Sequence, residues 1–155
     1  MSHDHVSVVL TSLNLDGNII SAEGARAIAE ALGSGKAVLT SLDVGGNNLD
    51  EEAALGIVKA ARQHDRMTSF GLAGCKIGPT GAKEIADYVQ FTAVLTNLNL
   101  ELNSLGPEGG KAIAEALETN AVLTKIDVRA NSLDEAAKQS VRDAVSGREG
   151  FELLV

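Results

Sequence analysis

Two glycine-rich stretches, GPTGAK at 78–83 and PEGGKA at 107–112, invite comparison with a phosphate-binding loop. Such a loop cradles phosphates with successive backbone N–H groups and sends one lysine to them, which requires G-x-x-x-x-G-K-[ST]. Neither stretch has it, because Lys83 is followed by Glu84 and Lys111 by Ala112. His3 and His5 form an H-x-H pair, but two imidazoles with no third ligand nearby make a poor metal site. His64 stands alone in RQHDR, a connecting turn. The single cysteine, Cys75, would need an activating base to serve as a nucleophile, and no such pairing is suggested. Glu51 and Glu52 are read as charges at a helix start rather than as an acid/base pair. These groups do not assemble into a reaction, so the expectation is a non-enzymatic chain with no cofactor and no metal.

What positions these residues is a repeat. LTSLNLDGNII from Leu10, LTSLDVGGNNL from Leu39, MTSFGLAGCKI from Met67, LTNLNLELNSL from Leu95 and LTKIDVRANSL from Leu123 all fit L-x-x-L-x-L-x-x-(N/C)-x-L. A second phrase follows in EGARAIAEAL from Glu23, TGAKEIADYV from Thr80 and EGGKAIAEAL from Glu108. A fixed period with two unlike halves is the mark of a solenoid. The first half alternates apolar and polar residues, as in Leu13-Asn14-Leu15-Asp16, which is the strand period. The second half places Ala25, Ile28, Ala29 and Leu32, then Ala54, Ile57, Val58 and Ala61, at helical spacing. Asp50 and Asp134, the acids Glu23 and Glu108, and Pro79 and Pro107 signal helix starts.

Strand, helix and next parallel strand require a crossover that is right-handed in nearly all cases. Strands stack about 4.8 Å apart while helices are about 10 Å wide, so the stack bends with its sheet on the inside. The expected fold is α/β: a right-handed, curved solenoid with a parallel sheet on the concave face and helices on the convex face. Residues 1–155 read as one domain, with repeats starting near 10, 39, 67, 95 and 123 and a terminal strand at 151–155. Continuing the 28-residue step places Phe151 and Leu154 on the first two apolar positions of a sixth unit, where they and Val155 cover part of the last core layer. Val6 and Val8 alternate in a way suited to the opposite end.

This pattern resembles the ribonuclease-inhibitor-like subfamily of leucine-rich repeats, marked by units of 28–29 residues with a full helix and the G-A-x-x-I-A-x-A-L phrase. The resemblance covers Leu10 to Val155. Its members include the ribonuclease inhibitor, the activating protein of the Ran GTPase and the sensing ends of NOD-like receptors, which share binding of other proteins. This chain has fewer repeats than these, lacks the inhibitor's aromatic concave face and many cysteines, and has no long acidic tail and no nucleotide-binding domain. The family pattern implies that Asn18, Asn47, Asn103 and Asn131 form a ladder satisfying buried backbone groups, with Cys75 a poorer substitute in the third unit.

With 45% hydrophobic but only 3% aromatic residues in 155, the core must be built of Leu, Ile, Val and Ala. The net charge of −8 disfavours nucleic acid and anionic membrane, and favours a neutral or basic protein partner. One cysteine and an N-terminus without a signal-peptide pattern point to a cytoplasmic setting. The residues expected on the concave face include Asn14, Asp16, Asp43, Asn99, Glu101, Lys125, Asp127 and Arg129, a polar, mildly acidic surface with a basic corner. Tyr88 and Phe91 replace smaller or polar residues of the other units and form a second candidate patch. The leading expectation is a protein–protein interaction module. A regulator of a small GTPase and a fragment that stacks on further repeats are the alternatives, and weak self-association through the solenoid ends is expected.

Overall fold

The computed structural model describes residues 9–155; His3, His5, Val6 and Val8 lie outside them. Six strands alternate with five helices: β1 (Ser12–Asn14), α1 (Ala22–Gly33), β2 (Ser41–Asp43), α2 (Glu51–His64), β3 (Ser69–Gly71), α3 (Pro79–Phe91), β4 (Asn97–Asn99), α4 (Gly106–Thr119), β5 (Lys125–Asp127), α5 (Glu135–Val145) and β6 (Glu152–Leu154). All strands pair in parallel in one sheet, in chain order. The α/β leucine-rich-repeat solenoid is therefore present.

Side-chain alternation places Leu42, Val44, Phe70, Leu72, Leu98, Leu100, Ile126 and Val128 in the core, each no more than 2% exposed. Opposite them lie the helical stripes, such as Ala54, Ile57, Val58 and Ala61 on α2. The first layer departs from expectation: Leu10 is 59% exposed and Asn18 is exposed, because no described unit covers that side.

Three polar devices hold the layers in register. Thr40, Thr68, Thr96 and Thr124 each donate their hydroxyl to the carbonyl of the preceding unit's threonine, at 3.0–3.2 Å. Asn47, Asn103 and Asn131 are buried where the chain leaves the sheet. Asn103 shows the full function: its Nδ2 donates to the carbonyls of Leu72 and Leu100, and its Oδ1 accepts from the N–H groups of Cys75 and Ile77. Asn120, a residue outside the repeat pattern, similarly ties the carbonyls of Val89 and Thr92 to the N–H groups of Val122 and Leu123.

Helix starts follow the sequence. Asp50 and Asp134 accept from Ala53 and Ala137 N–H at 2.8 Å, and Ser21 does the same for Gly24 on α1. Glu51 does more than charge its own helix: its Oε1 accepts from Gly78 and Gly81 N–H, capping α3 from the neighbouring unit. Close helix contact also needs small residues. A Cβ on Gly109 would lie 2.9 Å from the Ala82 methyl, so α3 and α4 meet only because that side chain is missing.

The end strand forms, but in a different register from a 28-residue step. Ile126 pairs with Leu153 and Asp127 with Leu154, a step of 27. Successive tight turns, with Gly147 and Gly150 in left-handed conformation, shorten this connection. A one-residue slip exchanges the faces of a strand. Leu153 therefore packs on the core in place of Leu154, alongside the expected Val155, and Leu154 turns to the sheet's open face. Phe151 packs against the core as well, beneath the Arg148 guanidinium at 4.7 Å.

Cys75 is fully buried, and burial, followed by the Asp43 charge, pushes its thiol up to about 12. It leaves Asn47 and Leu49 N–H without the side-chain acceptor that Asn103 gives Cys75 and Ile77. Cys75→Asn is expected to raise stability by about 1 kcal/mol, read from the urea midpoint, and native Cys75 to react slowly with thiol reagents. Deleting residues 151–155 should lower stability by about 2–4 kcal/mol, because Phe151, Leu153 and Val155 are only partly buried; a melt unchanged by the deletion would exclude this covering role.

Candidate interaction surface

Residues at the third, fifth and seventh positions of each unit project from the sheet away from the core, as the period of two requires. Of the eight expected site residues, Asn14, Asp43, Asn99, Glu101, Lys125, Asp127 and Arg129 line one shallow groove of about 420 Å³ crossing the sheet from β1 to β6. Asp16 lies beside it, where its Oδ1 leaves only 3.2 Å for a Cβ on either Gly45 or Gly46. The structure thus brings these eight together along one face.

Their roles divide by position. Asn14, Asp43, Asn99 and Asp127 each accept, through Oδ1, the N–H of the residue two further on, at 2.9–3.0 Å. These Asx turns bend the chain out of each strand. The signal was available as Asn or Asp at the fifth position in four of five units. In the third unit Gly71 stands there, and the Asp43 carboxylate lies across it where any Cβ would collide. At β3 the groove floor is therefore formed by Ser69 and by the Asp43 carboxylate that covers Gly71.

Ion pairs among outward residues of β5, β6 and the turns after β4 and β5 create the electrostatic pattern. Arg129 Nη2 bonds Asp127 Oδ2 at 2.7 Å and lies 4.0 Å from Glu101, and Lys125 pairs with Glu152 at 3.4 Å. Asp127 is 5% exposed. Its burial pushes the carboxyl up, but hydrogen bonds from the Arg129 side chain and backbone and the charges of Arg129 and Lys125 outweigh that and hold it below the usual carboxylate range. Asp16 and Asp43 form no ion pair among the described residues.

Tyr88 and Phe91 do not form a surface pair. Phe91 is 70% exposed, whereas Tyr88 is 2% exposed and belongs to the core. The cause is the wider spacing of α2 and α3, which approach each other less closely than the other adjacent helices. The large ring fills space where other units have alanine. Its hydroxyl has no partner, and burial, then the Asp65 charge, push its ionisation up. His64, read as a lone turn residue, bonds the Leu39 carbonyl through Nε2 at 2.7 Å. Leu154 is the groove residue the sequence reading misassigned, and the Gly147 and Gly150 turn was its signal.

Among the described residues no three His, Cys, Asp or Glu side chains are grouped as a metal site requires, and no helix is long and apolar enough to cross a membrane. A stack of parallel strands and helices presenting one polar sheet face defines a repeat scaffold. The profile of the Leucine Rich repeat matches residues 6–29, 36–58, 67–86 and 93–114, and the chain belongs to that family. No curated protein matches it in sequence. Among solved structures, the actin-binding site 2 of leiomodin-1 is similar at 21% identity and a TM-score of 0.74, over 88% of this chain and 79% of that one. The tropomodulin C-terminal domain of Caenorhabditis elegans is similar at 15% identity and a TM-score of 0.74, over 88% and 82%. These likenesses show the fold.

The Asp127–Arg129 pair has a defined pH signature. Because the folded carboxyl lies below its unfolded value, its contribution to stability is complete above the unfolded pKa of about 3.9 and is lost as pH falls through the folded value. Asp127→Asn should therefore flatten the loss of stability in the acid limb below about pH 4, measured by urea unfolding at several pH values, and change little at pH 7 in slope.

Proposed function

We propose that the chain is a non-enzymatic protein-binding module that recognises a neutral or basic protein segment on its concave sheet face. The observation that carries this reading is the row of Asp16, Asp43 and Glu101 on one face of a rigid sheet, two of them without a cation beside them. The Asx turns and the threonine ladder fix the backbone beneath these residues, so little ordering is left for the moment of binding. A domain of similar fold and size serves leiomodin-1 as an actin-binding site, which supports an interaction role without identifying this chain's partner. The 28-residue units with full helices support placement in the ribonuclease-inhibitor-like branch. A cytoplasmic location and a single domain over residues 1–155 complete the proposal.

Asp127 is excluded from the recognition set because it is committed to Arg129. Asp16→Asn, Asp43→Asn and Glu101→Gln together should slow association with a captured protein partner and flatten its salt dependence, while keeping the Asp43 Asx turn and the melting temperature. Stopped-flow association at low and high salt reads this effect. An unchanged on-rate at low salt would move the site off the sheet. Stimulated GTP hydrolysis by a panel of small GTPases would replace the binding-module reading with a regulatory one.

A further inference from the structure

We infer that the concave face is bipartite: it takes an extended protein segment carrying a basic side chain for the β1–β2 half and an apolar side chain for Leu154 on β6. This rests on the binding-module reading and specifies its partner. The first half holds Asp16 and Asp43, laid over Gly45–Gly46 and Gly71 and unpaired with any described cation. The last half is locally neutralised by the Arg129–Asp127 and Lys125–Glu152 pairs. Beside these pairs stands Leu154, brought to the open face by the register slip and lining the groove. A leucine next to a guanidinium held by its own carboxylate is suited to burying an apolar group while the charges stay satisfied. Between the halves, β3 offers the groove only the short Ser69 side chain, because the Asp43 carboxylate covers the buried Gly71.

The spacing follows from the sheet. Four to five inter-strand steps of about 4.8 Å separate the two halves, roughly 19–24 Å, which six or seven extended residues span. The partner crosses the strands rather than adding to an edge. Charge complementarity sets its direction of preference: basic at the β1 end, apolar at the β6 end.

The test uses the full-length ¹⁵N-labelled chain and synthetic twelve-residue peptides in which a Lys-Arg pair and a leucine are separated by six Ser/Gly residues. Amide shifts are expected in both β1–β2 and β5–β6. Asp16→Asn with Asp43→Asn, and separately Leu154→Ser, should each weaken binding roughly fivefold, whereas Leu154→Met retains it. Reducing the separation to two residues should have a similar cost. Thermal melts verify that each variant is folded. Binding on the sheet that ignores Leu154 and the spacing overturns the bipartite inference and leaves the concave-face reading standing. Shifts confined to the helices, or none at millimolar peptide, also overturn it, while the partner kinetics above judge the concave-face reading independently.

Discussion

Every unit of this solenoid must turn buried backbone away from the sheet, and the N–H and C=O groups exposed by that turn have no strand to pair with. Leaving each unpaired would cost on the order of 1–3 kcal/mol. Asn103 resolves the problem with one side chain, donating to one carbonyl on each side of a layer boundary and accepting from two N–H groups of the preceding unit. The device works only if adjacent units are in register to within a hydrogen-bond length. That requirement propagates outward: it fixes which residues meet in the core, which threonines stack, and which side chains are left on the open face.

The third unit shows what happens when the device is absent. Cys75 is apolar enough to bury but supplies no strong acceptor, and Asn47 Oδ1 also lacks a partner. In the same unit Phe70 and Tyr88 are larger than their counterparts, both of them buried, and α3 stands off from α2. Glu51 compensates by crossing the boundary to cap α3. Burial of larger side chains and a charged cap replace part of what the asparagine ladder supplies elsewhere. The same unit has only Ser69 and Ala73 as outward side chains, and its Gly71 is covered by the Asp43 carboxylate of the unit before.

The repeat, the order of its strands and helices, and the inward and outward positions were legible because each follows from periodicity that recurs five times. Departures from it were not. The placement of Leu154 assumed that the last connection had the same length as the others, whereas two left-handed glycines shorten it by one residue and reverse the strand's faces. Tyr88 was legible as an anomaly, but its burial depends on a gap between α2 and α3 that no local pattern encodes. Asn14, Asp43, Asn99 and Asp127 were recognisable as outward-facing, yet spacing alone does not reveal that one oxygen of each is engaged in a turn. Periodicity reports the average unit: it sets the eight expected residues on one face and misses Leu154, which a departure from it brings there.

This division has a physical basis. Core positions are constrained on both sides by neighbouring units, so a change there disturbs two layers. Third, fifth and seventh positions meet neighbours only along the sheet surface, where a substitution alters charge or shape at little cost to packing. The fifth position is the intermediate case, tied to the turn through Oδ1 but free to be Asn or Asp, and so free to choose its charge. Asp43 in one unit and Asn99 in another satisfy the same N–H geometry with different charge. An acidic half and an ion-paired, partly apolar half can therefore be written onto one regular scaffold without altering the hydrogen bonds that hold it together.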